Sequence, residues 1–173
     1  MTLHLVRHGR PLVDPALPAR EWELDPAGFD DVWALRDRLP ARAGWFSSPE
    51  PKALATAQLL TDTDVGVMDE LREHERGVTP WVDDAAEWHA IVREAFSEPD
   101  RSALPGWEPL GRTRDRLLPA VRRLLAAHGT EDLVLVGHGT AWTLLVAELT
   151  GWPPDLDRWA SLGMPDVIVV DSV

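Results

Sequence analysis

Close to the start of the chain an arginine, a histidine and a glycine follow one another, Arg7-His8-Gly9, directly after the short apolar strand-like run of residues 2–6. An imidazole beside a guanidinium suits phosphoryl chemistry. The planar fork of Arg7 can bind phosphate oxygens, and a neutral nitrogen of His8 can attack phosphorus as a nucleophile. Gly9 lets the backbone turn tightly and approach a ligand without a Cβ in the way. A second histidine between glycines, Gly137-His138-Gly139, ends the apolar run of residues 133–136. Arg7-His8-Gly9 alone is equally what a basic pair ending a surface strand looks like. The two together are informative only if the fold brings both strand ends to one place.

Residues 2–6 and 133–136 read as buried strands, and in an open α/β sheet the carboxyl edge of the strands is where ligands bind. A helical pattern over residues 140–149 would direct its positive dipole end into the same crevice. The rest of the chain alternates strands and helices, as an α/β sandwich requires. Asp25 as N-cap and Pro26 as first helical residue open a helix with Phe29, Val32, Trp33 and Leu39 on its apolar face, ending near Pro40. Residues 44–47 and 64–68 read as strands, 50–61 and 83–97 as helices. A longer helix carries Leu117, Leu118, Val121, Leu124 and Leu125 ahead of Gly129, with Pro119 expected to kink or break it. The last strand is placed at residues 167–170, after the turn signal Gly163-Met164-Pro165.

Two further segments fall in order between the histidines: Ser47-Ser48-Pro49-Glu50-Pro51-Lys52-Ala53-Leu54-Ala55-Thr56-Ala57 and Glu70-Leu71-Arg72-Glu73-His74-Glu75-Arg76-Gly77. With these four segments the chain resembles the histidine phosphatase superfamily over nearly its whole length. The resemblance implies an α/β three-layer sandwich with a mostly parallel central sheet, phosphoglycerate-mutase-like. Chain length reads as a single domain over residues 1–173, and residues 77–111, which interrupt the alternation of strands and helices and are rich in proline, tryptophan and acids, read as a small substrate-covering insertion. His8 would take the phosphoryl group as a phosphohistidine, which water then hydrolyses. Arg7, Lys52 and His138 would surround the phosphoryl oxygens, with Gly9, Arg10 and Gly139 beside them. Glu73 would protonate the departing oxygen. Glu75, two residues on, shares its face if the segment is extended, and motif order selects Glu73. No metal or cofactor is required when protein cations supply the charge.

Three positions depart from the pattern of that family. Lys52 stands where arginine is usual and can hold one oxygen but not two at once. Pro11 stands where threonine is common and offers neither hydroxyl nor N–H, with Arg10 as a candidate substitute. Gly137 replaces a common serine. These departures keep open a weak or silent member of the same fold that binds a phosphate ligand or a protein. A phosphoglycerate mutase is disfavoured, because the chain has little sequence to build a cover that retains the intermediate. A metal hydrolase would need His-x-His or His-Glu-x-x-His spacing, which the sequence lacks.

The chain has 173 residues, enough for one core. It has no cysteine, which excludes disulfides and thiolate metal sites, and its formal net charge of −12 argues against a nucleic-acid partner. Arg7, Arg10, Lys52, Arg72 and Arg76 are concentrated around the proposed site, so the local field there is expected to be positive. Residues 83–108 are mostly acidic and read as a solvated face. No apolar run approaches the roughly 20 residues of a membrane span. With no leader pattern, the expected compartment is cytoplasmic, the expected partner a small phosphorylated substrate and not nucleic acid or membrane. Monomer and homodimer both stay open. In the cover, Trp81, Trp88 and Trp107 either stack on a substrate ring or pack on the protein, while Trp33, Trp142, Trp152 and Trp159 read as structural or interfacial. His74, beside the proposed acid, is a candidate substrate contact. His4 reads as packed, His89 as solvated, and His128 as a cation at a helix C-terminus.

Overall fold

Strands β1 (Thr2–Arg7), β2 (Gly44–Ser47), β3 (Val65–Val67), β4 (Leu133–Gly137) and β5 (Asp166–Asp171) form one sheet in the spatial order β3-β2-β4-β1-β5. This is seen in a computed structural model that describes residues 1–77 and 82–171. Neighbouring strands are parallel except β5, which runs antiparallel along β1 at one edge. Parallel pairing requires crossovers, and the helices supply them.

Alternation along the strands sends side chains to both faces. Leu3, Leu5, Leu133 and Leu135 pack under α4 (Leu110–His128) and α5 (Gly139–Thr150), meeting Leu117, Val121, Trp142 and Leu145. Val6, Val134, Val136 and Trp45 pack on the other side under α1 (Phe29–Ala34) and α2 (Pro51–Leu60), meeting Val32, Leu35, Ala57 and Leu60. The result is the predicted three-layer sandwich. A third, smaller cluster joins α3 (Ala85–Ser97) to α6 (Leu156–Ser161) through Val92, Trp107 and Trp159. No helix among the described residues is long and apolar enough to cross a membrane.

Several local expectations are corrected. Asp25 does cap, accepting the Ala27 N–H at 2.9 Å, but what it opens is a 3-10 turn, Pro26–Gly28. The α-helix that follows is six residues long and passes into a second 3-10 turn, Arg36–Arg38. The buried positions are Val32 and Leu35, three apart, a spacing that a 3-10 turn serves well, while Trp33 is 49% exposed. Helix α4 runs unbroken through Pro119. Pro119 and Asp115, whose carbonyl loses its helical partner, are both on the exposed face where water can serve that carbonyl, and Leu117, Val121 and Leu124 hold the opposite face in the core. Trp152 is 76% exposed and, like Trp33, takes no part in the core. His89 packs its ring edge on Trp159 at 5.3 Å. Trp81 lies outside the described residues.

Candidate active site

Strand register sets the site. Arg7 pairs with Gly137 across β1 and β4, and Ser47 pairs with Val136 across β2 and β4. The next residue of each strand, His8, His138 and Ser48, therefore emerges beside the others. The His8 N–H donates to the Gly137 carbonyl and the Ser48 N–H to the Val136 carbonyl, both at 2.9 Å. The two imidazole centroids are 5.2 Å apart at 65°.

His8 Nδ1 is 2.7 Å from the Gly9 carbonyl oxygen, which can only accept, so Nδ1 carries the proton and Nε2 the lone pair. Burial pushes the His8 pKa well below the ordinary histidine value, and His138 and Lys52 nearby push it the same way. His8 is thus a neutral imidazole with its nucleophilic nitrogen fixed.

The second histidine has a partner that sequence reasoning missed. His138 Nε2 is 2.9 Å from Ser48 Oγ and 3.3 Å from Glu50 Oε1, while its Nδ1 is buried without a hydrogen bond among the described residues. Burial lowers the His138 pKa, and the charges of Glu50 and Glu73 oppose that shift. Glu50 is only 6% exposed. Its other oxygen accepts from Lys52 Nζ at 2.6 Å, and Lys52 also donates to the Ala19 carbonyl at 2.6 Å. The ammonium expected to hold phosphate is therefore engaged by a carboxylate two residues away. Burial would raise the Glu50 pKa, but His138 and Lys52 outweigh it and hold the group below its usual value. The available signal was an acid two positions before a lysine in the first turn of α2.

Glu73 and Glu75 separate clearly. Glu75 is on the rim, paired with Arg20 at 2.9 Å. Glu73 turns inward, accepting the N–H groups of Ala141 and His74 at 2.9 Å and of Thr140 at 3.2 Å. The positive end of α5, expected to face phosphate, is thus occupied by the Glu73 carboxylate. Burial would raise its pKa, yet Arg76, His138 and the His74 N–H bring it down to about 2. The backbone around it is clamped by Arg116, whose guanidinium donates to the carbonyls of Glu70, Arg72 and Glu73 and to Glu108 Oε1 at 2.7–3.0 Å. Glu108, expected on a solvated acidic face, instead also accepts from Thr113 Oγ1 and the Glu75 N–H. His74 is 3% exposed and bonds the Glu108 carbonyl through Nε2 at 2.7 Å, so it fastens the same junction.

Arg7 Nη1 donates to the Leu162 carbonyl at 2.6 Å, and Arg76 Nη2 donates to Thr140 Oγ1 at 2.8 Å. The Arg76 guanidinium lies 4.7 Å from the Trp88 ring centroid and 5.1 Å from that of Trp107. The Nε atoms of both arginines are buried and lack a hydrogen-bond partner among the described residues, as does His138 Nδ1. All three side chains line one cavity of about 720 Å³, together with His8, Glu50, Lys52 and Glu73. The two guanidinium Nε–H groups are buried donors without partners, which mark a place built for an acceptor, whereas His138 Nδ1 donates only in the tautomer or charge state that puts a proton there.

Of the remaining expected phosphate contacts, Arg10 and Gly139 line the same cavity, and each has a local partner of its own. Arg10 is 52% exposed and pairs with Asp25 at 2.8 Å on the rim. The Gly9 N–H is taken by Thr56 Oγ1 at 3.0 Å, and a Cβ there would come within 2.7 Å of Val32, so this glycine serves packing against α1. Gly139 lets Arg7 lie close, since a Cβ would be 3.3 Å from Arg7 Nε. Gly137 is explained by Trp142: a Cβ would sit 2.6 Å from its ring, whose Nε1 donates to the Val6 carbonyl at 2.8 Å. Among the described residues no group of three or more His, Asp and Glu side chains is gathered to hold a metal ion.

The fold is the phosphoglycerate-mutase-like one, that of the histidine-type phosphatases. The chain belongs to the histidine phosphatase superfamily, branch 1, which it matches over residues 3–171. Among solved structures, YhfR of Bacillus stearothermophilus superposes with a TM-score of 0.75 at 25% identity, covering 99% of this chain and 91% of that one. Mycobacterial glucosyl-3-phosphoglycerate phosphatase gives 0.71 at 23% identity over 94% and 84%. A phosphoserine phosphatase mutant from Entamoeba histolytica, in complex with phosphoserine, gives 0.72 at 18% identity over 97% and 89%. No match was found among curated protein sequences.

Proposed function

We propose that the protein hydrolyses small phosphomonoesters without a metal ion, through a phosphohistidine on His8. The observation that carries this reading is a buried, neutral His8 with its Nδ1 proton committed to the Gly9 carbonyl, set beside three buried nitrogens that lack partners. In the first step His8 Nε2 forms a bond to phosphorus while the ester P–O bond breaks and the alcohol oxygen takes a proton. In the second, a water oxygen bonds phosphorus, the P–N bond breaks, and the water's proton goes to a base. Arg7, Arg76 and His138 face the charge on the phosphoryl oxygens, which is where stabilisation of a loose phosphoryl transition state acts.

Glu73 fits both proton steps. With a pKa of about 2 it is ionised near neutrality. A phosphoryl dianion entering beside it is a like charge and shifts that pKa upward, toward the protonated form that the first step uses. The proton passes to the departing alcohol, and the carboxylate then takes one from water.

A second reading, a silent phosphate-binding member of the same fold, is favoured by the Lys52–Glu50 pair, which engages one expected phosphate ligand. Rapid quench with radiolabelled phosphate ester separates the two. A label on the protein that is lost in acid and stable in base, absent in His8→Ala, supports the enzyme. Binding of phosphate with no turnover and no label supports the silent member.

A further inference from the structure

The cavity over His8 widens into an apolar mouth. Of the eight large apolar side chains that are exposed among the described residues, four line it: Leu12, Val13, Leu17 and Met164. Exposed apolar side chains gathered at the rim of one cavity mark a binding surface. Trp88, backed by Arg76, closes one wall.

The mouth also carries charge, and its cations are already matched. Arg10 pairs with Asp25 at 2.8 Å, Arg20 with Glu75 at 2.9 Å, and Arg72 with Asp69 at 3.0 Å. Deeper, Lys52 pairs with Glu50 and Arg76 stands 4.0 Å from Glu73. Of the cations lining the cavity, Arg7 alone forms no ion pair among the described residues, and it belongs to the phosphoryl end, at the strand end beside His8. The site therefore has an unmatched positive charge for a phosphoryl group and none at the mouth for a second anion. A carboxylate carried on the leaving group would lie against apolar side chains and beside the carboxylates of Asp25 and Glu75 that already accompany the mouth's arginines, losing hydration with no free cation in exchange, and that costs free energy.

We propose that the preferred substrates are phosphomonoesters of uncharged aromatic or branched alkyl alcohols, and that esters of hydroxy acids are disfavoured. This rests on the phosphatase reading above. Phosphoserine and glucosyl-3-phosphoglycerate, after which two of the structural neighbours are named, each bear a carboxylate and are expected to be poor substrates here.

The test uses esters matched in shape and leaving-group acidity, 4-methylbenzyl phosphate and 4-carboxybenzyl phosphate, with the full chain near neutral pH. 4-Methylbenzyl phosphate is expected to have a kcat/KM higher by about tenfold or more, carried mainly by KM, the scale on which single pocket contacts discriminate. Leu17→Lys places a cation at the mouth, where the side chain is 44% exposed. It should narrow the gap by lowering the KM of the carboxylate ester. Equal use of both esters by the unaltered chain, or preference for the carboxylate, overturns the inference and leaves the phosphatase reading standing. A chain that hydrolyses neither ester, nor 4-nitrophenyl phosphate, overturns both.

Discussion

The floor of the cavity and its mouth handle charge in opposite ways. On the floor, Glu50, Lys52, His8 and His138 are each less than a tenth exposed, and their partners come from adjoining strand ends and the first turn of α2. At the mouth, Arg10 and Arg20 are half exposed, with carboxylate partners from short turns and from the segment after Leu71. Buried pairs hold geometry and are costly to break from one side, whereas exposed pairs contribute little and are replaceable. The floor is therefore where chemistry is fixed, and the mouth is where substrate choice can drift without loss of the fold. Substitutions on the floor should change kcat, and those at the mouth should change KM.

The largest effect tests the floor directly. His8→Ala should reduce kcat by about a thousandfold or more, as loss of a covalent nucleophile does. His138→Ala should reduce it by about a hundredfold, the scale of losing one donor to transition-state charge. Both are read with 4-nitrophenyl phosphate. An unchanged kcat in His138→Ala would make the second imidazole a packing group and reduce the floor to a single working histidine.

Glu73 and Glu75 are the same comparison within three residues. Glu73→Gln should slow an alkyl phosphate by about a hundredfold and a good aryl leaving group much less, because only the former needs a proton in the transition state. Glu75→Gln should leave both rates nearly unchanged, since its carboxylate is 42% exposed and pairs with Arg20. The reverse result would move the acid to the rim.

What the sequence made legible followed from local pattern. The two histidine tripeptides end apolar runs, so their meeting required only that the runs be parallel neighbours, and the register delivers that. Other parts depended on partners far along the chain. The dipole of α5 meets a carboxylate from 67 residues earlier, and Lys52 is tied to a carbonyl 33 residues before it. No periodicity in either segment carries that information. Gly137 was different, because the Trp142 ring that requires it lies five residues away in the following helix. The short 3-10 turns around α1 were hidden by a capping signal that a full helix shares.

The Glu50–Lys52 pair sharpens the contrast through stability. Lys52→Met leaves a buried carboxylate without its ammonium, which commonly costs 3–5 kcal/mol. Here Glu50 Oε1 keeps the Glu73 N–H at 2.9 Å and lies 3.3 Å from His138, so a loss of about 2 kcal/mol is expected by denaturant unfolding. Adding Glu50→Leu should recover part of it, since no charge then remains stranded. Arg20→Met, at the mouth, should cost about 0.5 kcal/mol or less. Equal losses at Lys52 and Arg20 would mean that the buried pair behaves as a surface one.

The smallest effect is graded and is read in pH. His8, His74 and His138 all have pKa values lowered from 6.5, burial being the largest cause in each. Below pH 6.5 the unfolded chain binds protons at these positions that the folded chain does not, so their contribution is fully present above 6.5 and is lost as pH falls toward the folded values. Glu73 acts in a second window, its contribution present above about 4.5 and lost as pH falls through about 2. Unfolding free energy should therefore decline from pH 7 to pH 5 through the histidines, before the Glu73 carboxylate contributes to the loss. His138→Ala should flatten that decline, whereas Leu17→Ala at the mouth should shift the whole curve without changing its slope. A slope unchanged by His138→Ala would show that the second imidazole titrates alike in the folded and unfolded chain, and the floor would then lose the burial that sets it apart from the mouth.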